Sequence, residues 1–337
     1  MDPLLRVKDL QASIRTSEGF AKIVDGVDMT IHRGETVGLV GETGAGKTVT
    51  AFSILGILQP VGDARSLWKV EGEVFFKGKD LLKLSEEELR EIRGMEIALI
   101  TQNPIPSLHP MEIVGFQTGE TLEELEKVES QRIRKLVVEH LGKVDISDAK
   151  ERFGHFREQF SGGEGQRILI AMALIRNPSL LIADEPTSAL DVTVQRQIME
   201  LLKAMKEQFD LSMLLITHNL GVIAEMSDYV YVMYAGKIME RGDVRSIFER
   251  PLHPFTRGLL ASVPRIDKDF FEFEGIPGEP PNPLYPISGC KFHPRCKYAK
   301  PVCSREVPEL IESGSKHFVA CLRLDEIHEQ KKQVERS

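Results

Sequence analysis

Hydrophobic and polar positions divide the chain into short strands and amphipathic helices. Leu5, Val7 and Leu10 lie on one strand face, and Val27, Met29 and Ile31 alternate strictly with polar neighbours. Thr36–Val40 is a continuous apolar run entering a glycine-rich turn, and Thr48–Leu58 has helical character. Val74-Phe75-Phe76 predicts a further strand, closed by Lys77-Gly78-Lys79-Asp80. Ser85-Glu86-Glu87-Glu88 has the spacing of a capping box and opens a short helix to Arg93. Beyond it the pattern predicts strands at 97–101, 180–183 and 211–217. It predicts helices at 120–145, 166–176 and 193–209. Tyr229–Met233 and Lys237–Glu240 read as a hairpin around Tyr234-Ala235-Gly236.

Strands alternating with helices imply an α/β fold with a mainly parallel, doubly wound sheet, and the first 80 residues add an antiparallel, strand-rich part. After Arg250 the character changes. Pro251, Pro254 and Pro264 precede Gly275-Ile276-Pro277-Gly278-Glu279-Pro280-Pro281-Asn282-Pro283, which is too proline-rich for regular structure. We therefore expect one domain over 1–250 and a C-terminal extension over 251–337.

With 337 residues, 42% hydrophobic and 28% charged, the composition is that of a globular protein with roughly two domains. The net charge of −8 argues against wholesale nucleic-acid binding, which needs a basic footprint. The longest apolar run, Ile168–Ile175, falls far short of the roughly 20 residues a bilayer requires. The start, Met1-Asp2-Pro3-Leu4-Leu5-Arg6, lacks the basic and apolar regions of a signal peptide. The expectation is a cytosolic protein that would work at a membrane only by docking on other subunits.

Gly41-Glu42-Thr43-Gly44-Ala45-Gly46-Lys47-Thr48 fits G-x-x-x-x-G-K-[ST] between a predicted strand and a predicted helix. Gly41, Gly44 and Gly46 let backbone N–H groups face phosphate oxygens, and the helix N-terminus adds a positive dipole. Lys47 reaches the β- and γ-phosphates in such a site, and Thr48 ligates Mg²⁺. Leu180-Leu181-Ile182-Ala183-Asp184-Glu185 supplies the complementary half: an apolar strand delivers Asp184 to the metal, and Glu185 can orient or deprotonate water. Alone, such a strand end would simply meet solvent. The phosphate loop gives it meaning. Ser161-Gly162-Gly163-Glu164-Gly165-Gln166-Arg167 places small residues before a helix, as an anion-binding end or a plain cap. Gln102 and His218 each follow a predicted strand, at the edge where open α/β sheets bind ligands.

The order of these segments, with Ser188-Ala189-Leu190-Asp191 between Glu185 and His218, closely resembles the nucleotide-binding subunit of an ABC transporter. That resemblance implies a P-loop ATPase core with an antiparallel β subdomain and an inserted helical subdomain over about 103–176. It implies that Gln102 senses Mg²⁺ and couples to membrane subunits. Ser161, Gly162 and Gly163 would contact the γ-phosphate of ATP held by an opposite subunit. Asp191 would lie at the dimer seam, and His218 would contact the γ-phosphate. Gln102, with Glu185 and His218, is thereby a candidate catalytic residue. Together with Thr48 and Asp184 it is a candidate Mg²⁺ ligand. Glu164 stands where the family often has Gln. The resemblance assigns no adenine-stacking aromatic, and Phe20 is the nearest.

Arg250-Pro251-Leu252-His253-Pro254-Phe255-Thr256-Arg257-Gly258-Leu259-Leu260, with Gly289-Cys290, Phe292, Arg295-Cys296 and Cys303, resembles the C-terminal signature of oligopeptide/dipeptide importer ATPases. Asn103-Pro104-Ile105-Pro106-Ser107-Leu108-His109-Pro110 is similar too, with Asn103 where an acid is usual. The resemblance implies an ATPase powering peptide uptake from the cytoplasmic face of the membrane. Its partners would be a second, non-identical ATPase subunit, two permease subunits and an extracellular binding protein. Importers of nickel or oligosaccharides share the subfamily, so the cargo stays open. A soluble, non-transport ABC ATPase fits less well, because the chain has one phosphate loop, one signature and no sustained heptads.

The four cysteines, Cys290, Cys296, Cys303 and Cys321, all fall within the last 48 residues. Gaps of five, six and seventeen residues lack the close pair usual in zinc sites. Four thiolates could hold a [4Fe–4S] cluster, which tolerates wider loops, or Zn²⁺; free thiols or disulfides are the remaining reading. The resemblance favours the cluster. Lys291, Arg295, Lys297 and Lys300 could offset its negative charge. The same basic residues with Phe292 and Tyr298 could also mark a nucleic-acid module, against which the net charge and the short span argue. No residue pattern brings the cysteines to the phosphate loop, so the expected role is structural.

Overall fold

The computed structural model describes residues 2–58, 67–102, 107–126, 129–188, 190–262 and 275–327. Asn103–Pro106, Ala189 and Pro264, singled out above, lie outside them. The chain forms two compact units. One consists of Lys83–Ile216 with Ile31–Thr36 and the extreme N-terminus, and the other of Leu4–Thr30, Val37–Leu82 and everything from Thr217 onward.

The second unit holds two strand systems. β1 (Leu5–Thr16), β2 (Gly19–Ile31), β4 (Trp68–Phe76) and β5 (Lys79–Asp80) form a sheet in the order β2-β1-β4-β5, with β1 antiparallel to β4. β1 explains an irregularity in the sequence. Its buried positions are Leu5 and Val7, then Leu10 and Ala12, so the alternation skips one residue. The pairing with β4 shifts between Lys8 and Gln11, and Asp9 there has φ 45°. This bulge restores the phase, so the same face stays buried on both sides of it.

In the other system, β3 (Thr36–Val40) is buried at every residue and runs parallel to β9 (Tyr229–Tyr234). β10 (Lys237–Asp243) pairs antiparallel with β9. The connection uses Ala235 and Gly236, both at positive φ, as a two-residue hairpin turn matching strand twist requires. The extension continues this system. β12 (Phe318–Val319) pairs with β10, and β11 (Ile311–Glu312) pairs with β12.

Glu240 of β10 is completely buried. Its carboxylate accepts hydrogen bonds from the Leu252 N–H (2.7 Å), the His253 N–H (2.8 Å) and His317 Nε2 (2.7 Å). A buried carboxylate is tolerated because these donors replace water. Leu252, Val319 and Leu324 form an apolar cluster beside it, with Cys321 packed against them.

In the first unit β6 (Ile97–Ile100), β7 (Leu180–Asp184) and β8 (Ser212–Ile216) run parallel in the order β8-β7-β6. β7 and β8 are buried along their whole length, as central parallel strands covered on both faces must be. The capping box at Ser85 forms, and the helix runs Glu86–Met95. The charged helical run expected at 120–145 is two helices, Val114–Glu126 and Ser130–Lys143. The apolar helix starts earlier than expected, at Gly162.

Candidate functional site

The phosphate-loop motif lies between β3 and the Lys47–Ile54 helix, as its sequence context required. Gly46 is the N-cap at φ 103°. An added Cβ would stand 2.7 Å from the Ile23 carbonyl oxygen, so the left-handed geometry and the tight packing both demand glycine. No side chain caps this helix, so its first-turn N–H groups can meet an anion instead. Lys47 is buried, and its Nζ donates to the carbonyls of Gly41 (2.8 Å) and Glu42 (3.1 Å). Thr43, Gly44 and Thr48 are exposed. The loop is held from the β9–β10 turn, where the Gly236 N–H donates to the Ala45 carbonyl (2.9 Å). His218 and Asn219 belong to the same unit and are exposed, and Asn219 caps the Leu220–Met226 helix.

In the other unit the strand register aligns the remaining residues. Ile100 of β6 pairs with Ala183, and Asp184 pairs with Ile216 of β8. Gln102, exposed two residues past β6, and Asp184-Glu185 therefore leave the same edge of this sheet. Asp184 is buried. Glu185 adopts φ 51°, a left-handed conformation uncommon for a non-glycine residue, and its N–H donates to the Ile216 carbonyl (2.8 Å). The Ser188 N–H and hydroxyl turn back onto the Glu185 carbonyl.

Ser161 is the N-cap of the Gly162–Leu174 helix in a complete capping box. Its hydroxyl and its N–H both donate to the Glu164 carboxylate (2.9 Å each), which also pairs with Arg152. Partial burial works to raise the Glu164 pKa. The hydrogen bonds from Ser161 and the Arg152 charge outweigh it and hold the group below the usual carboxylate value. Asp191 caps the Val192–Phe209 helix, accepting from the N–H groups of Thr193 (3.1 Å) and Val194 (3.0 Å). Gly163 touches that helix: an added Cβ would meet Val194 Cγ1 at 2.8 Å.

Three contributions escape the sequence. Glu42 occupies a free position of the motif and gave no signal. Arg295, expected to offset charge beside the cysteines, instead forms a two-pronged ion pair with Glu42 (2.6 and 3.1 Å). The extension therefore reaches the phosphate loop through Arg295, a contact the sequence did not signal. Phe20, Gly44 and Tyr285 line one cavity of about 430 Å³, which supplies the aromatic surface near the loop that motif spacing left unassigned. Lys291 is likewise drawn away from the cysteines, pairing with Asp25 at 3.5 Å.

The four cysteines are free thiols that line a single small cavity with His253, Phe292, Tyr298 and Arg323. Burial pushes the Cys290 thiol up to about 11, and it raises those of Cys296 and Cys321. Among the described residues no group of three or more His, Cys, Asp or Glu side chains is arranged to hold a metal ion, so the expected iron–sulfur or zinc site is not supported by the side-chain positions. No helix among the described residues is long and apolar enough to cross a membrane.

Comparison with known proteins matches residues 24–188 to the ABC transporter family and residues 239–303 to the oligopeptide/dipeptide transporter C-terminal region. The chain is 45% identical over 326 residues to the dipeptide transport ATP-binding protein DppD of Bacillus subtilis, covering 97% of this chain and 96% of that relative. It is 44% identical over 303 residues to the oligopeptide transport ATP-binding protein OppD of Haemophilus influenzae, covering 90% and 92%. Among solved structures, the dimeric post-hydrolysis state of the ATP-binding cassette MJ0796 bound to ADP and Pi matches with a TM-score of 0.62 at 26% identity, over 72% of this chain and 99% of that one. A phosphate loop at an uncapped helix start, a signature serine at a second helix start and likeness to these relatives along nearly the whole chain agree: the protein belongs to the ABC transporter ATP-binding family, in the branch that carries the oligopeptide/dipeptide transporter C-terminal region.

Proposed function

We propose that this chain is the ATP-hydrolysing subunit of an importer for peptides, acting at the cytoplasmic face of the membrane. The observation that carries the reading is the pairing of a complete phosphate loop with the oligopeptide/dipeptide C-terminal region on one chain. Gly41, Gly44, Gly46 and Lys47 hold the phosphates, while Thr48, Gln102 and Asp184 hold Mg²⁺. Glu185 activates the water, aided by His218. Ser161, Gly162, Gly163 and Asp191 serve the ATP of an opposing ATPase subunit. Permease subunits receive the stroke, and a binding protein delivers cargo to them. Residues 1–250 form the ATPase domain and 251–337 the extension.

In the assembled transporter, Glu185→Gln should retain ATP binding and lower turnover at its own site by the 10²–10⁴-fold typical of losing a general base. Uptake of labelled dipeptides and oligopeptides should fall with it. Unchanged hydrolysis at that site would remove Glu185 from the role. Uptake of Ni²⁺ or oligosaccharide in place of peptide would reassign the cargo.

The cysteines are proposed to hold a [4Fe–4S] cluster. The donor chemistry carries the proposal: four free thiols line one cavity. The group would cross-link residues 290–321, and no step of hydrolysis needs it.

A further inference from the structure

The phosphate loop carries a carboxylate of its own. Glu42 sits directly after Gly41, inside the segment whose amides face phosphate, and its side chain is 22% exposed. An unpaired anion there would repel a polyphosphate. Arg295 meets it from the extension: Nη1 donates to Oε2 at 2.6 Å and Nη2 to Oε1 at 3.1 Å. The arginine side chain is only 8% exposed and is fixed from behind. Its Nε donates to the Pro277 carbonyl (2.7 Å) and Nη2 to the Ile276 carbonyl (3.4 Å), and Nη1 also reaches the Tyr234 hydroxyl (3.2 Å). Phe292 packs edge-on against Tyr234 with ring centroids 5.3 Å apart. Arg295 ends a tight His293–Arg295 turn, flanked by Cys290 on one side and by Cys296 on the other. The cysteine loop therefore sets where this guanidinium stands.

We propose that Arg295 is a positioning residue by which the C-terminal extension neutralises Glu42 and so sets the affinity of the phosphate loop for polyphosphate. The inference rests on the assignment of Gly41–Thr48 as the phosphate site. A bidentate guanidinium–carboxylate pair is both directional and strong, and lysine cannot reproduce it. When it is intact, the loop presents its amides and Lys47 without an opposing charge. When it is broken, an uncompensated negative charge stands within the phosphate-binding segment itself.

The test is titration calorimetry on the full chain with ATP, ADP and AMP, without Mg²⁺ so that no turnover occurs. Arg295→Ala should weaken ATP by roughly tenfold or more, the order expected for one uncompensated charge at an effective dielectric of about 20. The loss should be smaller for ADP and smallest for AMP, and it should shrink as salt rises. Adding Glu42→Gln to Arg295→Ala should recover most of the ATP affinity, whereas Arg295→Lys should recover little. Glu42→Gln alone, which leaves the extension untouched, should bind ATP at least as tightly as the parent. An equal loss for all three nucleotides, no recovery in the double variant, or weakened binding in Glu42→Gln alone would overturn the proposal. If the parent chain binds no ATP and Lys47→Ala changes nothing, the phosphate site itself is at fault. A parent that binds ATP beside a flat Arg295 series refutes this inference alone.

Discussion

Glu164 shows how one side chain can tie a signature serine to its own helix. Its carboxylate takes both the N–H and the hydroxyl of Ser161 while Arg152 holds it from outside. A folded-state pKa below the usual 4.5 means that this charge contributes stability above pH 4.5, and that the contribution is lost as the pH falls through the lowered value. Glu164→Gln should therefore destabilise the protein at pH 7 by about 1 kcal/mol, the scale of a helix cap. The loss should fade as the pH drops below the carboxylate range. Thermal unfolding of both forms from pH 7 down to about pH 2 reads this directly, and a gap of constant size across that range would show that the charge plays no part. The serine and its two glycines were legible from order and composition. The carboxylate was legible only as a departure from the usual Gln, because its role depends on Arg152, which approaches from the segment before the signature.

At the scale of elements, legibility followed burial. β3, β7 and β8 are apolar in sequence but for a polar residue at one end of each, and are buried at every position in the fold. The first half of the Val114–Glu126 helix was missed because Gly115 and Gly119 dilute its pattern. Both serve close packing, since added Cβ atoms would strike the Phe153 ring and Ile133. β11 and β12 have two residues each, too few for any periodicity to register. The cysteine loop was visible through its composition, but the direction of its basic side chains was not, because each ion pair is made with a partner more than 250 residues away. If that loop holds a cluster, protein purified without oxygen should be brown and carry about four irons per chain. Removing the metal should lower the thermal midpoint, because the cross-link across residues 290–321 is then lost. Colourless protein with stoichiometric zinc would replace the cluster by zinc. Metal-free protein of unchanged stability would eliminate the site.

For the whole molecule, the phosphate loop and the signature serine lie in different compact units of one chain. Under the proposed function they serve different ATP molecules, with an opposing ATPase subunit completing each site. The isolated chain should then be a weak ATPase, lacking donors at its γ-phosphate. Specific activity should climb with protein concentration and on adding the second ATPase subunit, as followed by phosphate release alongside light scattering. High activity per chain that is independent of dilution, in a species that scatters as a monomer, would contradict this.

The Glu240 carboxylate also bears on how the chain can be dissected. The change in composition near residue 250 invites a cut there, yet all three donors to this buried group come from beyond it, at Leu252, His253 and His317. A fragment ending at 250 would lose all three donors, together with the β12 strand that pairs with β10. The break in composition is therefore not a seam in the fold: β10 and the extension share one hydrogen-bonded interior, and a domain cut would have to fall elsewhere.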